Sequence, residues 1–195
     1  MVGDYFQDDP GNNFKRMLAA ELLISGDPEI SARQQRAFRL AGTYASGCLE
    51  DMNAAQAVIR DLIGSPGDDA HIRPPIFVDC GSNTAIGEGS FVSYSLTALE
   101  VAPISIGKKC QIGPNVQLLT PTHPVDPQLR MDKLEAAKPI AIHDSVWLGG
   151  GTMVLPGVTT GENTVVSVGA VMSRDLPPYV VAVGVPAEVT RTVWS

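Results

Sequence analysis

The sequence predicts a mainly β protein, a parallel β-helix behind a short helical front end, and three observations carry that prediction. Apolar residues recur every six positions after about residue 72, the first seventy residues follow helical spacing instead, and the six-residue repeat breaks once and then resumes in phase. A period of six is neither helical nor a simple strand alternation. It requires a short strand and a tight turn repeating together, as in a solenoid whose flat faces are each one repeat long.

The phase is set by Ile106, Ile112 and Leu118, and Ile142, Leu148, Val154, Thr160 and Val166 continue it. Four residues after these lead positions stand small or branched side chains, at Cys110, Val116, Val146, Thr152, Val158, Thr164 and Ala170. Glycine follows the lead residue at Gly87, Gly107, Gly113, Gly149 and Gly161, where a backbone bend is expected. Three such units close one coil, the lead residues stack into an apolar column, and the coils pair through backbone hydrogen bonds. The competing reading is a β-sandwich, but sandwich strands recur irregularly, at about 8 to 12 residues.

The front end reads as helices. Phe14 to Ile24 and Pro28 to Tyr44 are amphipathic, with Met17, Leu18, Leu22, Phe38 and Ala41 at helical spacing, and Leu49 to Ile63 is a third candidate. Asp27 followed by Pro28 is an N-cap signal, and Gly64-Ser65-Pro66-Gly67 is turn chemistry. The expected organisation is a helical region at 1–70 and a β-helix at 71–195 carrying an inserted loop at 119–141.

Composition narrows the function. The 195 residues, 44% hydrophobic and 18% charged, suit one compact domain and exclude a disordered chain. No apolar run approaches the roughly 20 residues of a membrane-spanning helix. Fourteen Lys and Arg against 21 Asp and Glu, without a basic cluster, argue against a nucleic-acid partner, because phosphate neutralisation dominates that affinity. The opening MVGDYFQDDPGNNF places acids where a secretion signal needs a basic start and an apolar run, so a cytoplasmic location is expected. Cys48, Cys80 and Cys110 form neither a disulfide framework nor a zinc pattern and read as buried thiols.

The interruption is the chemically informative segment. Between Leu118 and Ile142 the repeat stops for 23 residues, and the insertion opens with Pro121-Thr122-His123-Pro124. Long loops on a rigid repeat usually carry function, and the two prolines restrict the backbone around His123. An imidazole ionising near neutral pH is a ready general base. The bland alternative is a surface histidine. A catalytic metal is disfavoured, since His71, His123 and His143 have no close ligand spacing and no carboxylate cluster completes a site.

Several motifs together carry a family resemblance over nearly the whole chain. Lys15-Arg16-Met17-Leu18-Ala19-Ala20-Glu21-Leu22, Pro74-Pro75-Ile76-Phe77 with Asp79-Cys80-Gly81, Glu135-Ala136-Ala137-Lys138-Pro139-Ile140, Val146-Trp147-Leu148-Gly149-Gly150 and Val183-Gly184-Val185-Pro186-Ala187 are the segments. With the Thr120-Pro121-Thr122-His123-Pro124-Val125-Asp126 loop, the sequence resembles the maltose/galactoside O-acetyltransferase family of hexapeptide-repeat acyltransferases.

The resemblance implies a left-handed parallel β-helix, an exception to the usual right-handed crossover, and a homotrimer with active sites between subunits. It implies acetyl-CoA as acyl donor, no metal, and a small-molecule hydroxyl acceptor. His123 becomes the base that deprotonates the acceptor as it attacks the thioester directly, and Glu135 is expected to orient the loop or the imidazole. Phe91, Ser93 and Asp79 fall where the acceptor is bound. For the coenzyme, Trp147 would wall the cleft, Gly149 and Gly150 would let the pantetheine approach, Val168 lies beside the same groove, and Ser173, Arg174 and Arg191 would meet phosphates.

The acceptor side departs from the family pattern. Phe91-Val92-Ser93-Tyr94-Ser95 has serines where the sugar enzymes have asparagines, Leu99-Glu100-Val101 replaces Leu-Asp-Val, and Ser25 and Gln34 stand where an acidic and a basic residue contact sugar. A hydroxyl cannot donate and accept as an amide does. An unusual sugar, another small alcohol and an amine therefore stay open as acceptors. A non-catalytic β-helical scaffold and a γ-carbonic-anhydrase-like metalloenzyme are the readings from other classes.

Overall fold

A computed structural model of the chain describes residues 5–6 and 13–195. The acidic stretch weighed against a secretion signal lies largely outside the described residues. From Ser65 onward the chain winds through three stacked parallel sheets, the faces of a triangular prism. One face pairs 65–66, 84–86, 104–106, 140–142 and 159–160; the next pairs 71–72, 91–92, 111–112, 147–148, 165–166 and 180–183; the third pairs 76–78, 96–99, 117–119, 153–154 and 171–172. The last strand of the second face is covered by Glu188–Thr192, which pairs antiparallel and closes that edge.

Every lead residue of the repeat points inward. Ile106, Ile112, Leu118, Ile142, Leu148, Val154, Thr160 and Val166 are buried, as are Cys110, Val116, Val146, Thr152, Val158, Thr164 and Ala170. Each fully buried Val, Leu or Ile side chain is worth about 1.5–3 kcal/mol, so the column dominates the stability of the stack. The glycines after the lead residues answer to a different cause from the bend that their position suggests. At Gly87 a Cβ would fall 2.5 Å from the backbone of Gly107 in the next coil, and at Gly149 it would fall 2.5 Å from the Val168 nitrogen. Neighbouring coils approach too closely there for any side chain.

Among the described residues the front end forms three helices, α1 (Asn13–Leu18), α2 (Pro28–Glu50) and α3 (Met52–Leu62). The Asp27 carboxylate accepts from the Glu29 and Ile30 amides at 2.8 and 3.2 Å, with Pro28 at the first helical position, which is the cap expected. Asp51 separates α2 from α3 by capping the second, accepting from Asn53 and Ala54 at 2.9 and 3.1 Å. Tyr44, fully buried, donates its hydroxyl proton to the Ile72 carbonyl and packs with Ala37, Ile59, Leu62 and Ile76, so α2 and α3 cover the open end of the column. The helix expected over Phe14 to Ile24 ends at Leu18; Leu23–Ile24 is instead a short strand pairing antiparallel with Leu134–Ala137 of the insertion.

Candidate active site

The insertion leaves the prism after Leu119 and returns at Ile140, with the register to the coils on both sides kept. It folds as a small hairpin, Pro121–Thr122 against Leu134–Ala137, carrying a short helix, α4 (Pro127–Met131), capped by Asp126. A second apolar cluster, Met17, Leu23, Ile30, Cys80, Val101, Ala102 and Ala137, knits the front helices, one prism corner and the insertion together.

Above this cluster lies a cavity of about 260 Å³ whose walls include Ser25, Gln34, Asp79, Cys80, His123 and Glu135. Three of the sequence-predicted residues, His123, Glu135 and Asp79, therefore share one chamber. Its remaining walls are Met17, Leu23, Gly26, Ile30, Leu99, Val101 and Pro121, so a mostly apolar cup presents a few polar groups.

Electrostatics distinguish those groups. Burial raises the Glu135 carboxyl above the usual carboxylate range; the neighbouring His123 opposes that rise and Asp79 adds to it. Asp79 is raised by burial as well. Cys80 is pushed up to about 12, first by burial and then by the carboxylates of Glu100 and Asp79, so this cavity-lining sulfur stays a thiol and offers no thiolate nucleophile. Ser25 and Gln34, which depart from the sugar enzymes' acid and base, are both cavity walls, and the described lining holds neither Lys nor Arg.

The other predicted residues lie elsewhere. Phe91 and Ser93 belong to the second prism face, where Phe91 stacks on His71 with ring centroids 5.9 Å apart and Arg73 sits 5.1 Å from its centroid. Trp147 is on that face too, in the strand register His71, Phe91, Gln111, Trp147, Val165. It is 55% exposed, and Val168 is 76% exposed. Gly149 is bare because the coils demand it, since a Cβ there would lie 2.5 Å from the Val168 nitrogen, whereas a Cβ on Gly150 would be tight, 3.2 Å from the Pro114 carbonyl oxygen. Gly151 and Gly169 are the positions beside this strip where a Cβ would meet almost nothing. Ser173 and Arg174 are exposed at the end of the strip, Arg174 lying 3.9 Å from Glu188, whereas Arg191 donates to the Ser195 carbonyl at 2.7 Å. An exposed indole, a strip of small residues and a terminal cation suit a slender chain ending in phosphates, so the fit to a coenzyme A donor is good. No group of three or more His, Cys, Asp or Glu among the described residues can hold a metal ion.

Glu100 is fully buried beneath the cavity floor, between the wall residues Leu99 and Val101, and its signal is an acid inside an otherwise apolar run.

These features define a hexapeptide-repeat β-helix with one inserted hairpin lining a cavity. Residues 16–67 match the maltose acetyltransferase hexapeptide capping motif. The galactoside O-acetyltransferase of Escherichia coli is 34% identical over 92% of this chain and 88% of its own. Among solved structures, a maltose O-acetyltransferase of Clostridium difficile superposes with a TM-score of 0.91 at 32% identity, covering 93% of this chain and 97% of the other. A hexapeptide-repeat acetyltransferase of Vibrio cholerae, solved with acetyl coenzyme A, gives 0.87 at 32% identity over 93% and 98%. The chain belongs to the maltose/galactoside O-acetyltransferase family of acetyl-CoA-dependent acyltransferases.

Proposed function

We propose that this protein moves an acetyl group from acetyl-CoA directly onto a hydroxyl of a sugar-like or other small acceptor, with His123 as general base. The observation that carries this reading is the shared cavity of His123, Glu135 and Asp79. The His123 imidazole takes the proton of the acceptor hydroxyl as the oxygen attacks the thioester carbonyl carbon. The C–S bond then breaks, and the imidazolium returns its proton to the departing sulfur, so coenzyme A leaves as a thiol. Glu135 orients His123 and offsets its charge while it holds that proton, and Asp79 accepts a hydrogen bond from the acceptor. No covalent enzyme intermediate is needed, because holding two reactants in contact already removes much of the entropic barrier. The protonated state of Cys80 agrees with that.

Two further features belong to this reading. The protein works as a homotrimer in the cytoplasm, with the coenzyme strip of one copy completing the cavity of another. That is supported by the separation within one chain of the Trp147 face from the insertion. A cyclic trimer repeats such a cleft three times. An amine acceptor is the second reading, favoured by two carboxylates, Asp79 and Glu135, in a cavity whose described lining has no basic side chain other than His123.

The test is release of free thiol from acetyl-CoA against a panel of small alcohols, sugars, amino sugars and amines, with the ester or amide product identified by mass spectrometry. Acceptor-dependent release, lost in His123→Ala while the fold is kept, is the expected result. Acetyl-CoA binding without transfer to any of them would overturn it.

A further inference from the structure

Three successive turns of the solenoid place their corners above one another at 79–81, 99–102 and 119–121, and this is where the structure departs most from its repeat. The lowest corner carries the cavity walls Asp79 and Cys80, and the highest releases the insertion that carries His123. Between them stands a buried polar column. The Glu100 carboxylate accepts from the Asp79 amide at 3.1 Å and from the amides of Cys80 and Gly81. Its own backbone is bracketed: Asn83 Nδ2 donates to the Glu100 carbonyl at 3.0 Å. Thr120 Oγ1 donates to the Leu99 carbonyl at 2.6 Å and accepts from the Ala102 amide at 3.0 Å. Thr120 in turn precedes the Pro121-Thr122-His123 segment directly, and its carbonyl accepts from the Lys138 amide at 2.9 Å, pinning both ends of the insertion.

We propose that Glu100 is a positioning residue: it fixes the Asp79–Gly81 corner so that the Asp79 carboxylate is held as an acceptor contact in the cavity that His123 shares. This rests on the acyl-transfer reading above. Both Glu100 oxygens are taken up by backbone amides, and the side chain is absent from the cavity walls while its two neighbours form them, so it acts on the acceptor only through Asp79. A role confined to holding the fold explains the residue poorly. Burial and the adjacent Asp79 carboxylate raise the Glu100 carboxyl to about 7, so keeping a charge there opposes folding at neutral pH. A neutral side chain would serve stability better. An acid is needed when several amides must converge on one point, since a carboxylate offers lone pairs to all three.

The test uses the full-length protein and two readouts. The first needs no substrate: amide hydrogen exchange in the 76–83 peptide, compared between wild type and Glu100→Gln. The amide nitrogen of glutamine cannot accept, so exchange there should rise about tenfold with the rest of the chain unchanged. The second uses whichever acceptor the panel identifies. Glu100→Gln should raise the acceptor KM about tenfold and leave the acetyl-CoA KM within twofold, and Asp79→Asn combined with Glu100→Gln should be no worse than Asp79→Asn alone. Additive losses in the double variant, or exchange in 76–83 equal to wild type, would overturn the proposal. If Glu100→Gln does not fold, Thr120→Val, which removes only the hydroxyl bracket, carries the same measurements with an expected threefold effect. Absence of transfer by the wild-type protein would count against the enzymatic reading alone, since the exchange result is independent of it.

Discussion

The coils from Ile140 to Met172 and the corners at 79–81, 99–102 and 119–121 are built from the same winding but by different rules. In the former, Ile142, Leu148, Val154 and Val166 stack in an apolar column and glycines let the backbones meet. In the latter, a buried glutamate, a buried threonine and a 23-residue interruption replace the six-residue unit. The regular part is stable because it repeats, and the irregular part is where a cavity opens. A rigid stack can carry a costly polar column at one edge only because its other coils hold their places without it.

The sharpest way to break that division is at the base. His123→Ala should reduce kcat by about 10²–10⁴ with the melting temperature unchanged, because the side chain is on the insertion and outside the apolar column. Steady-state kinetics beside a thermal melt checks both halves. Gly149→Ala should do the reverse. Its new Cβ meets the Val168 nitrogen, forcing two coils apart at a cost of about 3 kcal/mol, which denaturant unfolding would read. Glu135→Gln should sit between them, lowering kcat/KM about tenfold with little change in stability.

Smaller effects sharpen the picture. Thr160 is buried in a lead position and its hydroxyl has no hydrogen-bond partner. Thr160→Val should therefore stabilise the protein by about 1 kcal/mol and leave activity alone. The pH dependence of stability tests the corner. Glu100 ionises near 4.5 when unfolded and at about 7 when folded, so between those values the folded state holds more protons. Its contribution is complete below about pH 4.5 and is lost as pH rises through 7, with Asp79 the charged neighbour that adds to the shift. Melting curves from pH 4.5 to 8 should show that decline in wild type and a flatter one in Glu100→Gln.

Sequence periodicity made the prism legible because the period is the structure: each lead position had to be inside. The front end was less legible. Leu23–Ile24 sits in a stretch with helical spacing, yet its partner is Leu134–Glu135, more than a hundred residues away, and no local signal announces such a pairing. The break at Asp51 was readable in principle, since an aspartate before Met52-Asn53 is an N-cap. In the site, His123 stood out through its prolines, and Glu135 and Asp79 joined it in the cavity. Phe91 and Ser93 stand apart from that cavity within one chain, since the second prism face and the corner bearing the insertion are different parts of each coil, which a linear pattern does not separate. In the sequence, Glu100 is visible only as a departure from a motif. Its effect on three backbone amides of the preceding coil depends on vertical stacking, which a linear pattern does not display.

The register of Leu119 with Leu99 and of Ile140 with Ile104 has a consequence for how such a molecule diversifies. The excursion between them has fixed endpoints and is tied to the trunk again where Leu134–Glu135 pairs with Leu23–Ile24. Doubling the length of a flexible closed loop adds only about 0.6 kcal/mol, so a lineage or an engineer can lengthen or exchange the exposed stretch around α4 without recutting the trunk. New chemistry can then be tried on an old frame.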